Sequence, residues 1–252
     1  MKNTGEIEKD FLAKRDTYFQ ENYVKETKTN YLRRYRNELI RREIEELSTV
    51  RTVLDVGCGP AILYPELLER CETYHAMDLV ESNLEKIKSQ HNADKIKTIQ
   101  SDLDHFVPKE GAYDVIISSG SIEYANDFES IIKVLVKALK PNGTLIISFP
   151  NQNSPYRIWG ELVYRNIRNL FRKEKAPDYK RALFSEDFVR RQFVLNGSEK
   201  KITVRYFGLK LLLQPLDALF VDVDYKILNY FNSRPDSNLN NLSQEFLVVY
   251  QQ

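Results

Sequence analysis

Four carboxylates and two glycines carry most of the chemistry legible in this 252-residue chain. Asp55 stands two residues before Gly57, and Gly59 follows two later, in the run Val53-Leu-Asp-Val-Gly-Cys-Gly-Pro-Ala61. Glycine reaches positive φ at no steric cost and lets backbone lie directly against a ligand. The apolar residues ahead of the pair read as a strand. Ile62 to Arg70 reads as a helix whose free N–H groups would face the same pocket. Asp78 lies 19 residues beyond Gly59, at the end of a second strand-like run, Tyr74 to Leu79. In an α/β unit a carboxylate at that distance accepts from ribose hydroxyls. The competing reading is a solvated cap for a helix starting near Glu81. A dinucleotide fingerprint would need Gly or Ala three residues after its second glycine. Ile62 stands there instead, and the pattern is Asp-x-Gly-x-Gly-x-Ala.

Three more segments follow in order. Gln100-Ser-Asp102-Leu103 comes after the apolar stretch Ile96 to Ile99. Tyr113-Asp-Val-Ile-Ile-Ser-Ser-Gly-Ser-Ile-Glu-Tyr124 reads as a strand running into a loop. Leu139-Lys-Pro-Asn-Gly-Thr-Leu-Ile-Ile-Ser-Phe-Pro-Asn151 reads as a turn at Pro141 to Gly143 and then a strand. Over residues 50 to 151 this ordered set resembles the class I S-adenosylmethionine-dependent methyltransferases. The nearest group is the small-molecule branch that includes the quinone-biosynthesis methyltransferases.

The resemblance implies S-adenosyl-L-methionine as cofactor, S-adenosyl-L-homocysteine as product, and a set of roles. Gly57 and Gly59 would lie along the methionyl part, with Asp55 close by. Asp78 would hold the ribose, and Leu79 would cover one adenine face. Asp102 would accept from the adenine amino group, or serve as an ordinary turn residue. Leu103 would offer its N–H, and Ser119 would face the sulfonium end. Glu123-Tyr124 stands where the quinone branch carries Glu-His. The tyrosine weakens any carry-over of a histidine-based or metal-assisted mechanism, and both residues are kept as catalytic candidates. Glu123 serves equally as a cap for the next helix. Ala61 stands where many relatives have a third glycine, a small departure.

The elements that must position these groups alternate strand and helix over residues 52–149, which implies a parallel sheet covered on both faces. Helices are expected near 62–70, 81–91 and 127–139. The fold expected is an α/β, Rossmann-like methyltransferase sheet, mostly parallel with its last strand antiparallel. Residues 1–50 read as an N-terminal helical cap, with Phe11, Tyr18, Phe19 and Tyr23 and then Tyr31, Leu39, Ile40 and Ile44 at helical spacing. Residues 51–252 form the cofactor-binding domain, with 151–183 and 208–243 as insertions on the substrate side. Ser185 reads as a helix N-cap. Lys201 to Phe207 and Glu245 to Tyr250 read as the last two strands, and the resemblance makes them an antiparallel pair. The apolar stretch Leu209 to Phe231 reads as core, a dimer contact, or a wall for an apolar acceptor.

Composition sets bounds. Basic and acidic residues number 37 and 36, so no global charge drives the chain toward nucleic acid. Residues 154–183 nevertheless carry a net charge of +5 with interleaved aromatics. That segment reads as a solvated face, or as a grip for phosphate, RNA or an anionic membrane surface. Two cysteines, Cys58 and Cys71, give no disulfide framework and point to a reducing, cytoplasmic setting. No leader and no membrane span is expected. Three histidines form no ligand cluster by spacing, so no metal is expected.

The function expected is transfer of a methyl group to a small molecule, at oxygen, on a metabolite, lipid-linked compound, sugar or natural product. Partners left open are a homodimer and peripheral membrane contact. The alternatives are an RNA or protein methyltransferase using the basic segment, a non-catalytic cofactor-binding partner, and a nicotinamide oxidoreductase.

Overall fold

A computed structural model of the chain describes residues 27–90, 94–170, 182–196, 201–234 and 237–252. The helix periodicity expected around Phe11, Tyr18, Phe19 and Tyr23, and the basic residues from Arg172 to Arg181, lie outside the described residues.

Seven strands form one sheet: β1 (Thr52–Val56), β2 (Thr73–Asp78), β3 (Ile96–Gln100), β4 (Tyr113–Ser118), β5 (Leu139–Pro150), β6 (Ile202–Phe207) and β7 (Glu245–Gln251). Their order is β3-β2-β1-β4-β5-β7-β6. β1 to β5 pair in parallel, and β7 runs antiparallel to both β5 and β6. The chain builds outward from β1 to β3, then returns to lay β4 on the other edge of β1. Open α/β sheets bind ligands outside the carboxyl ends of the strands at such a reversal.

Nine α-helices are described: α1 (Tyr31–Glu45), α2 (Pro65–Arg70), α3 (Glu81–Gln90), α4 (Phe128–Ala138), α5 (Pro155–Trp159), α6 (Arg165–Leu170), α7 (Glu186–Asn196), α8 (Leu216–Leu219) and α9 (Val221–Asn232). A π turn, Gly160–Tyr164, joins α5 to α6. Side chains alternate across a strand, and the two cores follow. Leu54, Val56, Met77 and Ile116 pack with Ile132 and Leu135 of α4 and Phe193 of α7. Val53, Tyr74, Val115 and Ile117 pack on the other face with Ile40 and Ile44 of α1, Leu67 of α2 and Leu84 of α3. Alternation places Asp55 on the α1 face, beside Val53.

Three expectations need correction. The helix expected from Ile62 begins at Pro65, because proline suits the first helical position while restraining the residue before it. Tyr64 accordingly sits at φ −126°, ψ 69°. The turn expected at Pro141 to Gly143 is part of β5, with Asn142 at φ 66° and a register shift against β4. The apolar stretch Leu209 to Phe231 is not core. Leu209 and Leu228 are buried, while Leu211, Leu216, Leu219, Phe220 and Val223 are exposed. Ser185 does cap α7, its Oγ accepting from Phe188 N at 3.2 Å.

Candidate functional site

The loop after β1 is hooked over the end of β2. The amides of Gly57 and Cys58 both donate to Met77 O, at 2.8 and 3.0 Å. Gly57 has φ 71° and Gly59 φ 68°, which side-chain-bearing residues rarely adopt. A Cβ on Gly57 would lie 2.7 Å from Ser121 Oγ and closer still to Ser121 Cβ. Ser121 in turn donates to Val56 O at 2.7 Å and meets Ser118 Oγ at 2.8 Å. The glycine loop and the loop after β4 therefore touch, side by side at the carboxyl ends of two adjacent strands.

Asp78 fastens that loop. Its Oδ2 accepts from Gly59 N at 2.8 Å, and its Oδ1 accepts from Val80 N at 2.8 Å and Asn83 Nδ2 at 3.1 Å. The cap reading is thus not what forms, since the side chain closes a local turn and reaches back to the glycine loop. Burial raises its pKa, and the amides of Val80 and Gly59 partly oppose that. An ionised carboxylate offers about four acceptor positions. Three of these are taken by Gly59, Val80 and Asn83, and the Leu79 amide also bears on the carboxylate.

Asp55 lies beneath the loop. It accepts from Tyr74 OH at 2.6 Å within the buried sheet face. Burial pushes its pKa up to about 7; the Tyr74 hydrogen bond lowers it and the neighbouring Asp78 raises it again. Cys58, between the two acids, is buried, and burial followed by both carboxylates holds its thiol well above the usual range. A thiol so placed is a poor nucleophile. Two carboxylates in a dry loop form a floor that disfavours a second negative charge and favours a cationic ligand group.

The other candidate residues lie apart from this loop in bonding. Leu79 follows Asp78 and is half-buried, and Leu103 packs against the core on the α4 face. Asp102 closes an exposed turn, accepting from His105 N at 2.9 Å and meeting His105 Nδ1 at 2.8 Å. Burial raises its pKa, but the His105 hydrogen bonds outweigh that and the net shift is downward. Glu123, in the turn Ile122–Tyr124, is buried, and its Oε2 has no hydrogen-bond partner among the described residues. Tyr124 beside it is half-buried. Among the described residues, no three His, Cys, Asp or Glu side chains group as a metal site.

Sequence reasoning missed what α1 contributes. Asn37 of α1 accepts from Tyr64 OH at 3.2 Å and stands 3.5 Å from Ser119 Oγ. Arg36 lies against Gly120 and donates from Nη1 to Glu245 Oε2 at 3.2 Å. Arg157 of α5 holds the other oxygen of Glu245 at 2.7 Å. Burial would raise the Glu245 pKa, but Arg36, Arg157 and Arg33 outweigh it and keep the carboxyl below its usual range. Spacing marks α1 as amphipathic but cannot say that its polar members face the loop after β4.

Comparison with known proteins bears on the fold and the family. Solved structures share the fold at low sequence identity. A putative S-adenosylmethionine-dependent methyltransferase from Listeria monocytogenes is 17% identical with a TM-score of 0.62, covering 88% of this chain and 98% of that one. A Haemonchus contortus N-methyltransferase in complex with phosphomonomethylethanolamine and S-adenosylhomocysteine is 15% identical with a TM-score of 0.58, covering 86% of this chain and 52% of that one. Among curated proteins, a ubiquinone biosynthesis O-methyltransferase from Rickettsia typhi is 31% identical over 157 residues, 61% of this chain and 63% of that protein. The Rickettsia conorii protein of the same name is 32% identical over 133 residues, 52% of this chain and 45% of its own length. The chain thus spans about half the length of the curated relatives it matches. A family model described as a methyltransferase domain matches residues 31–194, from the start of α1 into α7 and so across the glycine loop, Asp78 and the loop after β4; the chain belongs to that methyltransferase domain family.

Proposed function

We propose that this chain binds S-adenosylmethionine at the carboxyl ends of β1, β2 and β4 and transfers its methyl group to an oxygen of a small molecule. The observation that carries the reading is the buried pair Asp55 and Asp78 wrapped around the Gly57–Gly59 turn, at the reversal of strand order. A cationic sulfonium and ammonium suit that floor, and the carboxylate of Asp78 at the end of β2 suits a ribose hydroxyl. Gly57 and Gly59 leave backbone accessible where side chains would stand. Leu79 and Leu103 supply apolar surface for a base, with Asp102 near the rim.

The bound sulfonium supplies an already activated methyl, so the protein's part is mainly alignment, worth about 7–11 kcal/mol in favourable cases. Ser119 stands at the end of β4, beside α1. Glu123, with its buried free oxygen, is the candidate to take a proton from the attacking hydroxyl, a contribution of roughly 10²–10⁴-fold. The described parts of the two insertions, residues 151–170 and 208–234, are the candidates to wall the acceptor, with α1 as the cap. The small-molecule, oxygen-directed reading draws on the ubiquinone O-methyltransferase names of the relatives.

Calorimetric titration of Asp78→Ala tests the site. Binding of S-adenosylhomocysteine should weaken at least tenfold with the fold intact by circular dichroism, whereas unchanged affinity would remove Asp78 from it. Glu123→Gln tests the base: turnover should fall about a hundredfold with cofactor affinity preserved, and normal turnover would strike Glu123 from the list.

A further inference from the structure

Three buried serines hold the loop after β4. Ser118 ends β4, Ser121 lies in the loop, and Ser148 belongs to β5; they are 0%, 7% and 1% exposed. Ser121 Oγ donates its single proton to Val56 O of β1 at 2.7 Å. In its 2.8 Å contact with Ser118 Oγ, Ser118 is therefore the donor. Ser148 Oγ accepts from Gly120 N at 2.9 Å. Gly120 has φ 72°, a conformation that suits glycine. The two strands that flank β4 thus fix this turn from either side.

Ser148 sets the direction of one peptide group. β4 lies between β1 and β5 in the sheet. The Gly120 N–H points to β5, where Ser148 stands. The Ser119–Gly120 bond is trans, and in a planar trans peptide the C=O points opposite the N–H. The Ser119 carbonyl is thereby turned toward β1, into the crevice at the reversal of strand order. Among the described residues no backbone N–H donates to it. Asp55 and Asp78 already make that crevice acidic, and a carbonyl oxygen adds to a field that favours a cation. Glu123, the candidate base, belongs to the same loop, so this carbonyl borders the reacting end of the methyl donor. That end changes charge in the reaction, from the sulfonium of the donor to the neutral thioether of the product. We infer that Ser148 is a positioning residue: by holding the Gly120 N–H it aims the Ser119 carbonyl at the sulfonium, and so favours the charged donor over the neutral product. This rests on the methyl-donor reading above.

The whole chain as wild type, Ser148→Ala and Ser148→Thr is titrated calorimetrically with S-adenosylmethionine and with S-adenosylhomocysteine, which differ at the sulfonium methyl. Thermal melting reports folding of each variant. Ser148→Ala, which leaves the Gly120 N–H without its acceptor, should lose about three- to fivefold in affinity for S-adenosylmethionine and keep its affinity for S-adenosylhomocysteine. Ser148→Thr, which keeps the hydroxyl, should restore the preference; should it not fold, the alanine variant alone decides. Equal losses for both ligands would make Ser148 a packing residue and overturn the inference. An unchanged preference in Ser148→Ala would overturn it too, as would a folded Ser148→Thr that behaves like the alanine variant. Failure of wild type to bind either ligand would overturn the methyl-donor reading itself, a result distinct from a variant-specific one.

Discussion

Asp55 shows how burial ties one residue's protonation to stability. Burial holds its carboxyl near pH 7 against an ordinary value of 3.8. Between those values the folded protein keeps a proton that the unfolded chain has lost, so this residue's contribution to stability falls as pH rises across that window. An asparagine amide in its place would carry no charge and could still accept from Tyr74. Asp55→Asn should therefore stabilise the ligand-free protein increasingly from pH 5 to pH 8, by at least about 1 kcal/mol at the upper end, in urea denaturation at each pH. An advantage that shrank with rising pH would contradict this. Gly57 is the opposite case, fixed by backbone and space. A left-handed conformation costs a side-chain-bearing residue about 1–2 kcal/mol, and overpacking Ser121 adds about 1–3 kcal/mol. Gly57→Ala should lose at least about 2 kcal/mol in urea denaturation, and a variant as stable as wild type would refute the loop geometry. Both residues were legible in the sequence as types and spacing. The partner that makes Gly57 obligatory, Ser121, was not, because the contact joins loops 64 residues apart.

At the scale of elements, the alternating strands and helices of residues 52–149 read directly from the sequence, and the antiparallel final pair followed from the family resemblance. Local chemistry explains where boundaries moved. Pro65 delayed α2 by three residues from Ile62, a signal present in the sequence and outweighed by apolar periodicity. What could not be read was docking between elements far apart in the chain. Arg36 of α1 and Arg157 of α5 share Glu245 at the start of β7, so one buried carboxylate ties α1 and α5 to the sheet. Removing one member of a buried ion cluster costs about 3–5 kcal/mol. Glu245→Ala should lose stability of that order in urea, while Glu245→Gln, which keeps hydrogen-bond acceptance, should lose less. Equal small effects from both would show that the cluster does not bind these elements together.

At the scale of the molecule, the sheet provides two cores, and helices and loops gather at the carboxyl ends of its strands. α1 meets Ser119 and Gly120 after β4, α5 meets Glu245 beside the end of β5, and Gly208 follows β6. Tyr156 of α5 donates to Asp217 of α8 at 2.6 Å, and Lys210 meets both Asp217 and Asp224, so α5 is joined to the segment that carries α8 and α9. None of the described helices is long and apolar enough to cross a membrane. The glycine loop, Asp78 and the loop after β4 were legible because they fall in short, ordered motifs, and the structure brings them to the carboxyl ends of adjacent strands. The contacts among α1, α5 and the loop after β6 were not, because those segments have no fixed spacing.

The most direct measurement is calorimetric titration of the purified whole chain with S-adenosylmethionine, S-adenosylhomocysteine and NADH. Both sulfur ligands should bind in the micromolar range and NADH should not. Binding of NADH, or of neither sulfur ligand, would contradict the account.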